Sequence, residues 1–245
     1  MPIARADANR MIRQLHYSKK IAHCSQVHLG VFLNGRCGGA MQFGQPIDKR
    51  RSLPLVSDTP WNAMLELDRL AFAEWLPRNS ESRALGYAMR WLHRTYPWLQ
   101  WVQSFADATQ SGDGTIYRAS GFVLTGIKTN RSMMRMPDGS VVCCKTLDNP
   151  GHQGPEGQMG ASYAREQGAT WLPGFQLRYI YFLDPTARER LTVPILSFDE
   201  IDRRGAGMYR GHPRASRLDS EAPGVQPGTE GAAMRPTRST LLAVS

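Results

Sequence analysis

The chain has 245 residues, 41% of them hydrophobic, and a formal net charge of +9. This length can bury one sizeable α/β core, and no run of about 18 apolar residues could span a membrane. The N-terminus lacks the apolar core of a secretory signal. We therefore expect a cytoplasmic protein without a membrane partner. The basic excess favours a polyanion such as nucleic acid without proving one.

Hydrophobic periodicity and turn residues predict the first elements of the chain. Residues 8–18 form a short amphipathic helix. Residues 27–33 and 37–43 flank an Asn-Gly dipeptide and form a hairpin. The polar, proline-bounded segment 46–60 is predicted to be a loop.

The next segment has the order strand, helix, strand. Residues 63–72 are a strand candidate, and residues 81–96 show the clearest helical spacing in the chain, ended by Pro97. The apolar run 98–105 is typical of a strand buried on both faces.

Shorter elements complete the predicted domain. They are a helix at 114–120, a strand at 122–129, a hairpin of 133–136 with 141–145, a glycine-rich loop at 149–174 and a strand at 176–183. Residues 1–202 are predicted to form one catalytic domain. Residues 203–245 are rich in Gly, Pro and Arg, which predicts a disordered basic tail.

The loop that opens the long helix is a candidate coenzyme site. Its residues are Arg78, Asn79, Ser80, Glu81, Ser82 and Arg83. A helix N-terminus presents free N–H groups and the positive end of the dipole, which suits a pyrophosphate. Arg78 would add charge. The alternative is simple capping of the helix by Asn79 or Ser80.

The segment from Tyr117 to Phe122 resembles the Y-x-x-x-G-F signature of GNAT-type acyltransferases. The resemblance implies a central mixed, mostly antiparallel sheet flanked by helices, with coenzyme A on the loop and pantetheine between two splayed strands. It also implies that Tyr117 lies near the thioester sulfur, where it could protonate the thiolate. The usual loop has glycines where this chain has Glu81 and Arg83. The alternative for Tyr117 is a ring packed on the sheet.

Two carboxylates are candidates for proton transfer. Glu66 and Asp68 alternate along one predicted strand and would share a face. They could act as a base with a raised pKa, or one could be a metal ligand. The alternative is a solvated strand face, or pairing with Arg69 or Arg83.

Four further side chains complete the candidate chemistry. His16 could be a base or a metal ligand, or merely suit a helix C-terminus, and Tyr17 follows it. Ser104 and Asp107 close a strand, where open α/β sheets place ligands, although Ser104 could be buried and Asp107 could only cap a turn. A run of three metal-type residues, His23, Cys24 and His28, is not in itself a ligand set.

A wider resemblance covers about residues 11–185. The motifs that carry it are His16-Tyr17-Ser18, Gln42-Phe43-Gly44, Glu66 to Leu70, Pro77 to Ser82 and Ser104 to Asp107. Together they resemble the Mom DNA-modification proteins of Mu-like phages. The resemblance implies a phage- or prophage-encoded enzyme of the bacterial cytoplasm that converts adenine in double-stranded DNA to an N6-methylcarbamoyl-type derivative and protects DNA from host restriction. It also implies acetyl-CoA as a coenzyme A thioester and admits iron as a participant.

On this hypothesis the adenine is flipped out of the duplex. Phe43 or Trp75 would stack on the base. Phosphates would bind the basic residues Lys49, Arg50, Arg51, Lys128 and Arg131. Two alternatives remain at this point: a GNAT N-acetyltransferase that uses acetyl-CoA on a small amine or protein, and a non-catalytic DNA-binding protein with the same fold.

Overall fold

The computed structural model describes residues 1–147, 160–209 and 211–214. The strands are β1 (Ser25–Leu33), β2 (Arg36–Gly44), β3 (Met64–Phe72), β4 (Trp101–Asp107), β5 (Val123–Thr129), β6 (Met133–Arg135), β7 (Val141–Cys143), β8 (Thr170–Trp171), β9 (Phe175–Phe182), β10 (Met208–Tyr209) and β11 (His212–Pro213). The helices are α1 (Arg5–Leu15), α2 (Lys49–Ser52), α3 (Ser80–Thr95), α4 (Thr115–Ala119), α5 (Cys144–Leu147), α6 (Gly160–Glu166) and α7 (Asp199–Arg203). Leu53–Leu55 and Pro185–Arg190 are 3₁₀ turns.

The central sheet has six strands in the order β1-β2-β3-β4-β9-β5. Strands β3 and β4 are parallel, and the other neighbours in this sheet are antiparallel. Parallel neighbours need a crossover, which α3 supplies. The prediction of a mixed, mostly antiparallel sheet is confirmed. Small sheets β7-β6-β8 and β10-β11 lie beside it.

Strands β3 and β4 separate part of the way along their length. Their pairing runs from Met64 opposite Trp101 to Leu67 opposite Ser104, and then stops. On the other edge of β3, Gln42 pairs with Arg69 and Phe43 with Leu67, so Asp68 is the extra residue of a β-bulge. The bulge interrupts the strict alternation that the sequence predicted for Glu66 and Asp68. We call the gap beyond the last paired residues the splay.

Helices cover both faces of the sheet. On one face Leu85, Ala88, Met89 and Leu92 of α3 join the main core with residues such as Leu65 and Val102. Ala8 and Ile12 of α1 pack on Ala40 and Ala71, and a further cluster surrounds Met64 and Trp101. The apolar stripes predicted for α1 and α3 are therefore the surfaces that these helices bury.

Several predicted boundaries differ from the observed ones. α1 ends at Leu15, because His16 has an extended backbone. The predicted loop 46–60 contains α2 and a 3₁₀ turn, and β4 begins at Trp101 rather than at 98. In the predicted glycine-rich loop, residues 149–159 lie outside the described residues, whereas α6 and β8 are regular structure.

The chain remains packed on the domain beyond residue 203. Ala206 is 2% exposed, and the N–H of Asp113 donates to the carbonyl of Met208 at 3.1 Å. The guanidinium of Arg214 lies 2.9 Å from carboxylate oxygens of both Asp113 and Asp202. The predicted tail therefore begins with an ordered segment, and its remainder from 215 onward lies outside the described residues. No helix in the described part of the chain is long and apolar enough to cross a membrane.

Candidate functional site

Polar side chains cluster around the last paired residues of β3 and β4, where the splay begins. Glu66 of β3 accepts a hydrogen bond from Nε2 of Gln103 at 2.7 Å, and the same nitrogen donates to Oγ of Ser52 in α2 at 2.9 Å. Burial raises the pKa of Glu66, while the Gln103 hydrogen bond and the charge of Arg69 oppose the shift. This carboxyl group is therefore biased towards holding a proton.

Asp68 projects from the bulge into a tight polar pocket. Its Oδ2 accepts a hydrogen bond from Oγ of Ser25 at 2.6 Å. Burial, aided by the negative charge of Glu66, raises the pKa of Asp68 to about 7. Gly44 provides the space, since a Cβ there would lie 2.7 Å from Oδ2 of Asp68. Any side chain at position 44 would have to displace this carboxylate.

A hydrogen bond brings the end of α1 to the end of β4. The hydroxyl of Tyr17 donates to Oδ2 of Asp107 at 3.1 Å, and Oδ1 of Asp107 accepts from the backbone N–H of Thr109 at 2.9 Å. Desolvation by neighbouring groups, followed by the charge of Asp107, raises the pKa of Tyr17, although 47% of the residue stays exposed. Tyr17 therefore remains a proton donor throughout the physiological range.

His16 is held neutral next to this pair. Its Nδ1 accepts from the backbone N–H of Ser18 at 3.1 Å, so the neutral ring carries its proton on Nε2. The ring lies on Tyr17 with the centroids 4.4 Å apart. Burial, with the positive charges of Arg69 and Lys19, lowers the pKa of His16 to about 4.

Tyr117 reaches the splay from α4. Its ring packs between Phe122 and Tyr179, at centroid distances of 5.4 and 5.2 Å. Burial and the charge of Glu66 raise its pKa, and a hydrogen bond with Ser104 opposes the shift. Ser104 is fully buried. The ring of Tyr117 therefore packs in the core, as the alternative interpretation expected, and its hydroxyl joins the polar cluster.

Arg69 is the residue that the sequence analysis considered only as a pairing partner. Its positive charge acts on all four titratable groups His16, Tyr17, Glu66 and Asp68. Hydrogen bonds to two backbone carbonyls, of Lys20 at 2.9 Å and Asp68 at 2.6 Å, hold the guanidinium. Its position inside the Glu66–Leu70 motif was the available signal. Ser25, Ser52 and Gln103 had no such signal, because only the fold brings them to the carboxylates.

A groove of about 550 Å³ lies where α3 begins. Its lining residues are Ser82, Arg83, Gly86, Tyr87, Arg90, Ala119 and Ser120. Ser120 of the α4 end donates to the carbonyl of Ser82 at 3.3 Å and joins the two walls. We call this the α3 groove.

The predicted coenzyme loop contributes unequally to the α3 groove. Ser82 and Arg83 line it, whereas Arg78 and Asn79 are exposed before it. Asn79 is in the left-handed region, with φ of 66°, and its side chain makes no capping hydrogen bond. Ser80 donates to the carbonyl of Pro77 at 2.6 Å, and Glu81 is half-buried. The simple capping alternative is therefore not what Asn79 and Ser80 do.

The predicted phosphate contacts differ in exposure. Lys49 is only 8% exposed and its ammonium lies 4.4 Å from the ring centroid of Trp61. Arg50, Lys128 and Arg131 are exposed, and Arg51 forms an exposed ion pair with Asp48.

The two aromatic residues expected to stack on a base also differ. Phe43 is fully buried in the main core, so the expectation for it was wrong. Trp75 is 39% exposed, with the guanidinium of Arg36 over its ring at 4.3 Å.

A metal ion such as iron would need several His, Cys, Asp or Glu side chains close together. Within residues 1–147, 160–209 and 211–214, no three His, Cys, Asp or Glu side chains are grouped so that they could hold a metal ion. The run containing His23, Cys24 and His28 is included in this statement. The described residues therefore do not form a donor set for a protein-held iron.

The strand order, the bulge and the splay form an α/β fold in which a cluster of titratable side chains lies where β3–β4 pairing ends. The family model described as "Mom protein family" matches residues 1–200. The chain is 34% identical over 189 residues, 77% of this chain and 76% of the relative, to "Methylcarbamoylase mom" of Escherichia phage Mu. The chain belongs to the Mom protein family.

Solved structures with a similar fold share little sequence with the chain. An IAA acetyltransferase from Bacillus cereus is 10% identical, covering 74% of this chain and 97% of its own, with a TM-score of 0.43. FeeM, an N-acyl amino acid synthase from uncultured soil microbes, is 13% identical, covering 76% and 94%, with a TM-score of 0.42.

Proposed function

We propose that this enzyme transfers an acyl group from a coenzyme A thioester to N6 of adenine in double-stranded DNA: the N6–carbonyl bond forms, the carbonyl–sulfur bond breaks, and coenzyme A leaves as the thiol. The methylcarbamoyl-type derivative forms when the transferred group is methylcarbamoyl, because an acetyl group lacks its NH. The product would protect phage DNA from host restriction. The observation that carries the proposal is the cluster at the splay, where carboxyls with raised pKa meet two protonated tyrosines in a chain that belongs to the Mom family. The 34% identity to a methylcarbamoylase supports the acceptor and the product.

The carboxyls would provide the base that the weakly nucleophilic N6 of adenine needs. The lone pair of adenine N6 is delocalised into the ring, so the nitrogen becomes nucleophilic only as a proton leaves. A base is most effective when its pKa lies near the working pH, and Asp68 has a pKa of about 7. Asp68, with Glu66 beside it, would take the N6 proton.

The tyrosines would donate protons, whereas the carboxyls would accept them. The pKa of Tyr117 is raised, so its phenol keeps a proton that it can donate to a leaving thiolate. Tyr17, held by Asp107, and the neutral His16 would orient the acceptor beside it. The fixed guanidinium of Arg69 would stabilise negative charge that develops at the splay.

The α3 groove fits the coenzyme. The first turn of a 16-residue helix presents N–H groups and a positive dipole to a pyrophosphate, and Arg83 and Arg90 add charge. Residues Arg78 to Ser82 would bind at the mouth of the groove. A thioester bound there would supply an activated acyl group and a thiolate leaving group. Ser120 and Tyr117 both belong to the α4 turn, which leads from the groove to the splay.

Exposed basic residues would bind the DNA backbone. Arg50, Arg51, Lys128 and Arg131 are open to solvent and would contact phosphates. Lys49 would contribute through its charge while its ammonium stays on the ring of Trp61.

Analysis of plasmid DNA from cells that make the protein tests the proposal. The DNA is digested to nucleosides and examined by mass spectrometry for a deoxyadenosine adduct. A methylcarbamoyl product exceeds an acetyl product by one NH, so the assay separates this activity from plain N-acetylation. Loss of the adduct in folded Glu66→Gln and Tyr117→Phe, with Glu74→Gln as an exposed control, would support the assigned roles. Soluble wild-type protein that leaves adenine unmodified would overturn the proposal.

A further inference from the structure

A second groove of about 880 Å³ lies against the segment that connects β2 to β3. Its lining includes Gln45, Lys49, Trp61, Asn62, Tyr96 and Trp98. We call it the aromatic groove. Trp61 and Trp98 are 59% and 58% exposed. Large indoles left this open on a folded protein mark a binding surface more often than a packing defect.

We propose that the aromatic groove binds an unstacked nucleobase of the DNA substrate. This inference rests on the proposed function for its substrate class and adds to it a site for a base. Sequence-independent binding of single-stranded DNA combines aromatic stacking platforms with cationic side chains that follow the backbone. The aromatic groove has both parts.

The stacking surfaces are pre-ordered. The ring of Trp98 is held by an edge contact with Tyr96, with centroids 5.5 Å apart. Trp61 has the Lys49 ammonium on its ring at 4.4 Å, which fixes the indole and leaves the rest of its surface open. A fixed ring loses little freedom when a base stacks on it. Arg50 on the rim and Arg51 next to it lie where phosphates of the same strand would pass.

Amide groups provide partners for the edge of a base. Oε1 of Gln45 is buried and accepts no hydrogen bond within the described residues. A buried, unpaired amide oxygen is costly, and a turn of the Gln45 side chain into the groove would let an exocyclic amine of a base satisfy it. Asn62 lines the same groove. Gln and Asn amides pair with N6 and N7 of adenine, so this lining suits a purine.

The chain segment that lines the aromatic groove is linked to Asp68 at one point and to Glu66 at another. Gly44 lies against Asp68, and the following residue, Gln45, lines the groove. Ser52 bonds to the amide that holds Glu66, and Lys49 begins the same short helix α2. One short chain segment therefore connects a nucleobase in the groove to Asp68 and Glu66, the two proposed proton acceptors. A purely apolar ligand would leave the buried amide oxygen of Gln45 unpaired and would make no use of the exposed charge of Arg50, which disfavours it.

Two oligonucleotides of equal length and charge test the proposal. One carries normal bases, and in the other abasic residues replace the central bases. Fluorescence anisotropy of the full-length protein should show tighter binding of the normal strand by about tenfold or more, the value typical of base stacking. Trp98→Ala and Trp61→Ala should remove this difference, whereas Trp98→Phe should keep most of it. Trp171→Ala, an exposed indole away from the groove, should bind like wild type.

The rim makes a separate contribution. Arg50→Gln with Arg51→Gln should weaken both strands by the same factor, because phosphates are present in both. Equal affinity of wild type for the two strands, or an unchanged ratio in folded Trp98→Ala and Trp61→Ala, would overturn the base site.

Duplex DNA with one 2-aminopurine tests whether the base comes from a paired strand. Its emission should rise with wild type, as the base unstacks, and should not rise with Trp98→Ala. The adduct assay is independent of these measurements. Base-dependent binding without an adduct would support the nucleobase site and overturn the proposed reaction. An adduct without base-dependent binding would support the proposed reaction and overturn the nucleobase site.

Discussion

The polar cluster at the splay and the α3 groove adjoin the same β3–α3 unit and are built differently. At the splay, Glu66, Asp68 and Tyr117 are each largely enclosed and each hydrogen-bonded to a protein side chain. In the α3 groove, Arg83, Tyr87 and Arg90 are mostly solvent-facing. Enclosed groups shift their pKa and hold one geometry, whereas exposed arginines attract phosphates and adapt. The first region is suited to chemistry and the second to binding.

Helix α4 connects the two regions. Tyr117 belongs to the cluster, and Ala119 and Ser120 form a wall of the groove. The start of α4 is anchored through Asp113, which the ordered C-terminal segment holds with Arg214. A change in this anchor should therefore affect both regions, while a change inside one region should not.

The largest expected effect is on the chemical step. Asp68→Asn keeps the shape of the side chain and removes the base, so the rate of adduct formation should fall by about 10²–10⁴-fold. Affinity for coenzyme A should stay within about threefold of wild type, since hydrogen bonds at the groove are unchanged. Single-turnover kinetics and calorimetry measure the two quantities. Asp58→Asn, an exposed loop carboxylate, serves as the control, and a fully active Asp68→Asn would remove Asp68 from the mechanism.

The next effect is on stability through the α4 anchor. Arg214→Met leaves the buried carboxylate of Asp113 with the Thr115 hydroxyl at 3.0 Å and a single, longer ion pair to Arg118 at 3.4 Å, and should lower the free energy of unfolding by about 3 kcal/mol. Urea denaturation measures the loss. Arg10→Met breaks an exposed pair with Asp7 and should cost less than about 1 kcal/mol. If the two variants lost equal stability, the C-terminal segment would not be an anchor.

A smaller effect should be confined to binding. Arg83→Ala removes a charge from the α3 groove and should weaken coenzyme A about tenfold, with the rate at saturation preserved. The loss should shrink at high salt, because the arginine is exposed. Arg94→Ala, exposed on the same helix outside the groove, is the matched control. A lowered saturated rate with unchanged affinity would contradict the division between binding and chemistry.

The smallest effect concerns pH. Asp68 has a folded pKa of about 7, above its ordinary value of 3.8, so the stabilisation from its proton is complete below pH 3.8 and is lost as the pH rises through 7. Asp68→Asn cannot lose this proton and should therefore melt a few degrees higher than wild type at pH 8, with a smaller difference at pH 5. Thermal melts at both values measure it. A difference that grows towards acid pH would mean that the pKa is depressed instead.

Much of the fold could be predicted from the sequence because local patterns carry it. The apolar stripe of α3, the Asn-Gly hairpin turn and the alternating strands depend on neighbours along the chain. The segments for α2 and α6 were misread as loops, since helices of four and seven residues carry too little periodicity. Phe43 was misread as a base-stacking side chain because nothing local distinguishes a buried ring from an exposed one.

The sequence by itself determined the helix and strand framework, the basic charge and the motifs that identify the family. Only the tertiary structure decided which side chains share a site. The bulge at Asp68, the end of β3–β4 pairing at Leu67 and the bond from Tyr17 to Asp107 join residues up to 90 positions apart. The pKa values of Glu66, Asp68, His16 and Tyr117 follow from that enclosure. Burial and charge at a residue depend on all the elements packed around it, and no short window of sequence contains them.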